Sequence, residues 1–480
     1  MRSMAKVSAL PWRGPRQPGG EGGAGTSGIL REFIERQARR SPARLAVVAF
    51  AGVCALFTLL LLAPWAKAGP GTASFTEALF TAVSAVSITG LTVVETGTFW
   101  TTWGLVVILI AIKVGGFGVM TLASILALAV SRRLGLTQRL LAASETKTDR
   151  LGEVGSLIRV VLVTTTSLEL IVALMVLPRL LSLGDSVGTA LWHSLFYGIS
   201  AFNNAGFVPT AGGLAPHAGD WLLGLPLVIG VFVGALGFPV IRNIIRTRRR
   251  RRPAWRRWSL HTKLTIVTSA SLLLLGWVVI LALEWTNPGT FGPLGVSETL
   301  MAGLHSSVMP RSGGLTTVDV GSMHSSTRLV TDALMFVGGG SASTGGGIKV
   351  TTLAVMLLAI RAESRGDKDV EAYGRRISRE TVRVAIAVVF LAASVILVGT
   401  LTLLEVASVD LDAALFEVLS AFSTVGLSTG ITPYLPTAGR LVLVVLMFVG
   451  RAGIMTFAAA LALRQRRRIV RLPEDRPLIG

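Results

Sequence analysis

The chain has 480 residues, of which 51% are hydrophobic and only 15% charged, and its net charge is +20. Soluble domains carry about 25% charged residues, so the composition excludes an ordinary soluble protein and points to a polytopic membrane protein. The single cysteine, Cys54, excludes an intrachain disulfide and offers no thiolate metal site.

In chain order, residues 1–44 are rich in Gly, Pro and Arg and are expected to form a disordered basic tail. The apolar stretch 45–66 is long enough, at about 1.5 Å per residue, to cross a hydrocarbon core of roughly 30 Å. It outruns a signal-peptide core and shows no small-residue cleavage site, so it reads as a retained helix. Comparable spans occupy 101–130, 157–181, 221–245, 264–285, 329–360, 382–406 and 441–463. Within each consecutive pair lies a shorter apolar segment of about a dozen residues, too short to cross but suited to a re-entrant half-helix.

Basic residues gather in alternate connections: Arg132, Arg133, Arg139 and Lys147, then 242–257, 361–383 and 464–471. The other connections carry acids such as Glu77, Glu95, Asp185, Asp220, Glu298, Asp319 and Asp412. Positive-inside bias then puts the basic connections and both termini in the cytoplasm. Five arginines at 248–252 follow directly on an apolar span. They read as a topology anchor against anionic lipid headgroups, and no nucleic-acid partner is expected.

Internal repetition is the most informative feature. Four segments align without gaps on Gly90, Gly206, Gly314 and Gly426, which lie 116, 108 and 112 residues apart. A bulky apolar residue follows each. A second glycine set, Gly115-Gly116, Gly234, Gly338-Gly339-Gly340 and Gly450, recurs 24 to 28 residues later. That register predicts small-residue helix packing together with a bent or widened pore-lining helix. The chain thus divides into repeats at 45–130, 157–246, 263–360 and 381–463. Loops at 131–156, 247–262 (Arg-rich) and 361–380 join them, and 464–480 forms a C-terminal segment.

Non-helical backbone cannot face lipid, because its N–H and C=O groups would have no partners. The four re-entrant segments must therefore meet inside the protein, most economically as a pseudo-fourfold ring around one pore. Main-chain carbonyls there replace part of an ion's hydration shell. Glycine suits the strained turn through its freedom in φ. Each half-helix brings its negative C-terminal end to the axis, which favours a cation. The candidate K⁺-binding residues are Ser87, Ile88, Thr89 and Gly90; Asn203, Asn204, Ala205 and Gly206; Arg311, Ser312, Gly313 and Gly314; and Ser423, Thr424, Val425 and Gly426. No His-Glu-x-x-His, Gly-x-Ser-x-Gly or paired membrane aspartates occur, so no enzyme is expected. The repeats are parallel, which disfavours an inverted-repeat transporter.

Asn203-Asn204-Ala205-Gly206-Phe207, Ser423-Thr424-Val425-Gly426-Leu427-Ser428 and Thr89-Gly90-Leu91 resemble filter sequences of the Trk/Ktr/HKT superfamily of potassium transporters. The chain is most similar to the KtrB-type membrane subunit, from about residue 45 to the end. The resemblance implies an all-α protein of four M1-P-M2 repeats, with eight transmembrane helices and four re-entrant pore loops. It implies K⁺ uptake at the cell membrane by a homodimer with one pore per subunit. Trk-type relatives carry two further N-terminal helices, for which the N-terminus here leaves no room. Glycine at all four filter positions implies K⁺, with a Na⁺-selective or non-selective transporter of the same fold as the alternative. No cofactor in this chain is implied, and Na⁺ is a candidate coupling or activating ion. A cytoplasmic nucleotide-binding regulator of the RCK/KTN type is the implied partner, since the N-terminal glycines follow no strand and make no nucleotide fingerprint.

Two filter and gate positions depart from the family pattern. Its third filter reads Arg-Thr-Ala-Gly-Phe; Arg311-Ser312-Gly313-Gly314-Leu315 stands here, which predicts looser packing. The stretch Gly338, Gly339, Gly340, Ser341, Ala342, Ser343, Thr344, Gly345, Gly346, Gly347 cannot form a stable helix. It resembles the family's intramembrane gate loop, 338–349 with Lys349, although Ser341 replaces the usual proline. Arg451 sits mid-span, where a cation is unfavourable by about 2.5–3.5 kcal/mol. It is expected either to repel cations or hold loop carbonyls, or to form a structural salt bridge, and Lys113 invites the same two readings. Arg311 is expected to brace its filter from behind against Glu298 or Glu417. His193 and His305 are read as surface or packing residues.

Overall fold

The computed structural model describes residues 42–133, 152–248 and 254–453, with side chains described for 47–118, 159–247 and 255–452. The tail expected at 1–44 lies almost wholly outside these residues. So do much of the loop at 131–156, most of the arginines at 248–252, and the segment 464–480. Met1–Leu45 is one unit and Ala46–Gly480 the other, and the core is built from the second.

Four times the chain forms a helix, a shorter helix and another helix. The first set is α1 (Pro42–Leu61), α2 (Phe75–Ser87) and α3 (Thr102–Arg133). The second is α4 (Gly152–Ser182), α5 (Val187–Asn203) and α6 (Trp221–Leu236), continued by α7 (Phe238–Arg248). The third is α8 (Leu260–Glu284), α9 (Val296–Val308) and α10 (Ser325–Phe336), continued by α11 (Val350–Ser364). The fourth is α12 (Arg379–Val406), α13 (Leu411–Phe422) and α14 (Thr437–Phe448). The first span, expected to reach residue 66, stops at Leu61 because Pro64 disfavours helix at the residue before it.

Side-chain caps start three of the short helices. Ser74 and Glu77 form a capping box on α2, and Ser186 accepts from the Thr189 amide on α5. On α9 the Glu298 carboxylate reaches back to the Gly295 amide at 3.0 Å. Such caps supply partners for orphan N–H groups, typically about 1 kcal/mol each.

Helix packing closes a cycle. Each short helix packs on a long helix of its own set, and also on the last helix of the preceding set: α5 on α3, α9 on α6, α13 on α10, and α2 on α14. The short helices are therefore central. Phe80, Phe196 and Phe416 on three of them are fully buried. The outer helices turn large apolar side chains outward instead; Phe390 of α12 is 75% exposed and Val278 of α8 62%. Large apolar side chains turned outward suit hydrocarbon as solvent. Among the described residues, Arg159–Ser182, Leu260–Glu284 and Arg379–Val406 are long and apolar enough to cross a membrane, and the α6–α7 pair makes a fourth if counted as one span.

The last helices of the four sets differ. In the first set α3 runs through Gly115-Gly116 unbroken. The span at 221–245 is bent by 95° between α6 and α7, just past Gly234 of the glycine set that predicts a bent helix. Gly237 there has φ +89°, and Pro239 follows. In the third set the chain leaves helix at Phe336 and regains it only at Val350. In the fourth, Val449–Gly453 widens into a π-helical turn. One further departure from an all-α chain lies in the loop expected at 361–380. There β1 (Val370–Ala372) pairs antiparallel with β2 (Arg375–Ile377). Tyr373 and Gly374 both take positive φ, the geometry of a tight hairpin turn.

Candidate functional site

The four aligned glycines meet. A Cβ added to Gly90 would fall 2.9 Å from Gly206 Cα; one on Gly206 would fall 3.0 Å from Gly314 Cα and 3.3 Å from Gly90 Cα. One on Gly314 would lie 3.4 Å from Gly426 Cα, and one on Gly426 3.1 Å from Gly90 Cα. The contacts therefore run 90–206–314–426 and back to 90. All four glycines take positive φ, at +87°, +72°, +68° and +95°. The residue two before each also takes positive φ, although none is glycine: Ile88, Asn204, Ser312 and Thr424. The same backbone excursion thus occurs four times at one register. Left-handed non-glycine residues cost about 1–3 kcal/mol and persist where surroundings over-determine them.

Those surroundings are visible. Ser84 Oγ accepts from the Gly90 amide at 3.0 Å and donates to the Leu91 carbonyl at 2.7 Å. Ser420 Oγ accepts from the Gly426 amide, and Ser200 Oγ donates to the Phe207 carbonyl. In the third set Val308 stands at this register and has no hydroxyl. Its turn is held by the Gly313 amide donating to Met309 O at 2.7 Å. The looseness expected at Gly313 is not found. A methyl there would meet Met309 Sδ at 2.7 Å and Val231 Cγ1 at 2.8 Å, so neighbours already fill that space.

The second glycine set explains its own register. A Cβ on Gly115, Gly234 or Gly450 would collide with the carbonyl oxygen of Val86, Phe202 or Phe422 respectively, each four residues before a ring glycine. These glycines let a long helix press its backbone against the final turn of a short one. Gly338 differs, meeting the Gly346 carbonyl of its own loop.

Above the ring a cavity of 300 Å³ has all four glycines in its lining, with Thr92, Thr210, Thr316, Ser428 and Glu95 around it. On the other side the 338–349 loop closes against the ring. Thr344 Oγ1 donates to Asn204 Oδ1 at 2.9 Å, and the Gly346 amide donates to Ser312 Oγ at 3.0 Å. Ser312 Oγ in turn donates to Thr424 O at 2.7 Å. Two cations hold consecutive loop carbonyls: Arg451 Nη1 donates to Thr344 O at 2.5 Å, and Lys349 Nζ to Gly345 O at 2.6 Å. Ser341, at the family's proline position, instead pairs its hydroxyl with Thr351 at 3.2 Å. Ala342 takes positive φ, and its carbonyl accepts from the Phe238 amide at the α6–α7 bend. In the segment leading to Gly426, the Ser423 and Thr424 hydroxyls are buried with no partner among the described residues.

Arg311 belongs to the ring segment by sequence but is not at its centre. Its guanidinium donates to Ser269 O at 2.9 Å and Ser269 Oγ at 3.0 Å, bracing the segment against α8. The acids expected to hold it are engaged elsewhere. Glu298 caps α9, and Glu417 accepts from Ser428, Thr429 and Thr432, anchoring the segment beyond Gly426. Lys113 forms a salt bridge with Glu169, whose other oxygen accepts from Asn203 Nδ2 at 2.8 Å. His193 pairs with Asp185 at 3.1 Å, and His305 is buried among packing residues. Sequence reading counts Glu284 among the acids of the non-basic connections but gives no role to it, to Glu169 or to Ser269. Glu284 accepts four donors, from Asn287, Thr290, His324 and Thr327, and ties the C-terminal end of α8. Only its placement at a span's end hinted at it.

The TrkH cation transport protein family matches residues 58–469. The chain is 35% identical over 453 residues to Ktr system potassium uptake protein B of Bacillus subtilis, covering 94% of this chain and 100% of that one. It is 31% identical over 468 residues to the potassium/sodium uptake protein NtpJ of Enterococcus hirae, covering 94% and 100%. The crystal structure of the potassium transporter TrkH from Vibrio parahaemolyticus shares the fold, with a TM-score of 0.70 at 18% identity over 87% of this chain and 84% of that one. The chain belongs to the TrkH family of cation transport proteins, a family of transporters and not of enzymes.

Proposed function

We propose that this chain is the ion-translocating subunit of a Trk/Ktr-type K⁺ uptake system in the bacterial cell membrane. The single observation that carries the reading is the closed contact cycle of Gly90, Gly206, Gly314 and Gly426. In this reading the ring segments are a selectivity filter, and its main-chain oxygens take the place of water around a dehydrated ion. Four helix C-termini at the ring add a negative dipole end from each side. The unpartnered Ser423 and Thr424 hydroxyls supply oxygen ligands on the inner approach.

The 338–349 loop is the gate. It is closed in this conformation, pinned to the filter through Thr344 and Ser312 and from behind by Arg451 and Lys349. The four helix sets are M1-P-M2 repeats with eight crossings, and both termini are cytoplasmic. A homodimer and a separate nucleotide-binding regulator of the RCK/KTN type complete the system, consistent with relatives named for the Ktr system. The potassium/sodium name of NtpJ supports a second reading, a filter that also passes Na⁺.

Expression in a bacterium lacking K⁺ uptake is expected to restore growth at low external K⁺. Normal membrane expression without rescue would refute the K⁺ assignment. Rescue abolished by equimolar Na⁺ would favour the second reading.

A further inference from the structure

A second cavity, of 570 Å³, reaches the gate loop from the side. Leu264 of α8 and Val384 and Val388 of α12 give it an apolar wall. Its polar side carries Lys349, Arg376 and His261, and no carboxylate is among its described lining residues. That is not general to this end of the molecule. A neighbouring cavity of 840 Å³ mixes Arg361 and Lys368 with Asp367, Asp369 and Glu371. The smaller cavity lies where α8 and α12 begin.

Arg376 and Lys349 both retain N–H donors that an anion can take. Arg376 pairs with Asp369 at 3.1 Å, but its side chain is 62% exposed, and such pairs contribute only about 0–1 kcal/mol. Lys349 carries three N–H donors, and Gly345 O accepts from it at 2.6 Å. The β1–β2 hairpin brings Arg376 to the mouth, and Lys349 brings in the loop.

We propose that this cavity binds an anionic phospholipid of the cytoplasmic leaflet. Its acyl chain lies along the α8–α12 wall and its phosphate meets Arg376 and Lys349. The consequence for transport rests on the reading of 338–349 as the gate. Lys349 and Arg451 hold adjacent carbonyls, so two positive charges sit beneath the ring on the ion's route. A phosphate on Lys349 neutralises one of them and competes with Gly345 O for its protons, so the bound lipid favours the open loop.

Full-length protein reconstituted in phosphatidylcholine vesicles, with and without phosphatidylglycerol, tests this through rubidium uptake and through the lipid retained after detergent purification. Phosphatidylglycerol is expected to raise wild-type uptake several-fold and to be retained. R376Q is expected to keep the phosphatidylcholine-only rate while losing most of the increment and the retained lipid. V384W, which fills the apolar end and removes no charge, is expected to do the same, separating a built site from general surface charge. R361Q, in the other cavity, is expected to keep both. Equal stimulation and retention in wild type, R376Q and V384W would overturn the site. Equal stimulation by inorganic phosphate in phosphatidylcholine vesicles would overturn the lipid as occupant. Retention lost in R376Q with the increment intact would overturn the coupling to the loop. Lipid retention is read without transport, so it reports on the site even if removal of the loop shows that it is no gate.

Discussion

Arg451→Gln removes the guanidinium whose Nη1 donates to Thr344 O at 2.5 Å. Hydrogen bonds from charged donors contribute about 1.5–3 kcal/mol, and about 1.4 kcal/mol is a tenfold change in an equilibrium. A shorter Gln that misses Thr344 O should shift the loop toward its open form by about 10- to 100-fold. Removing a positive charge beneath the ring acts in the same direction. Stability should not fall in parallel. Arg451 is 4% exposed, and its Nε and Nη2 have no partner among the described residues. A cation held mid-membrane is unfavourable by about 2.5–3.5 kcal/mol, which the neutral side chain escapes. Rubidium uptake into proteoliposomes, measured with a thermal unfolding scan of the same protein, is the assay. Raised uptake with an unchanged or higher Tm is the expected result. Unchanged or reduced uptake with a lower Tm would show that Arg451 is a structural strut, refuting its role as a latch.

Deleting 338–347 is expected to raise uptake at normal expression, and a reduced or unchanged rate would remove the gate. Gly450→Ala places a methyl against the Phe422 carbonyl. It should lower stability by about 1–3 kcal/mol and abolish growth rescue, and wild-type rescue would contradict the packing argument. Ser84→Ala leaves the Gly90 amide and Leu91 carbonyl without their hydroxyl partner. It should lose about 1–3 kcal/mol and admit Na⁺ as a competitor of rubidium uptake, whereas Val308→Ala, with no such bridge to lose, should leave competition unchanged. Glu169→Gln keeps an acceptor for Asn203 but breaks the ion pair with Lys113. Because Lys113 is 27% exposed and can take water, a modest fall in Tm is expected, without loss of rescue.

The sequence made the ring legible because each of its four corners needs the same backbone geometry, and glycine is the residue that supplies it. The left-handed residues two before each glycine were not legible. Ile88, Asn204, Ser312 and Thr424 share no chemistry, and only the pull of their surroundings puts them there. The second glycine set is legible by register, but its cause, a short-helix carbonyl seated on each of three, lies in contacts between segments far apart in sequence. Gly313 misled because a missing methyl suggests space, and Met309 and Val231 occupy it. Arg311 misled because a buried cation suggests an acid; a backbone carbonyl and one hydroxyl serve instead. A bent helix was legible from the glycine set that includes Gly234, but hydropathy runs across Gly237 and Pro239 and blurs where the bend falls.

If the ring is the filter, one ion passes between the four glycine corners. Crystals grown in rubidium and measured at its absorption edge test this most directly. The account requires an anomalous peak enclosed by the backbones of Gly90, Gly206, Gly314 and Gly426. A ring without rubidium density, and a rubidium peak bound at a site remote from it, would contradict the account.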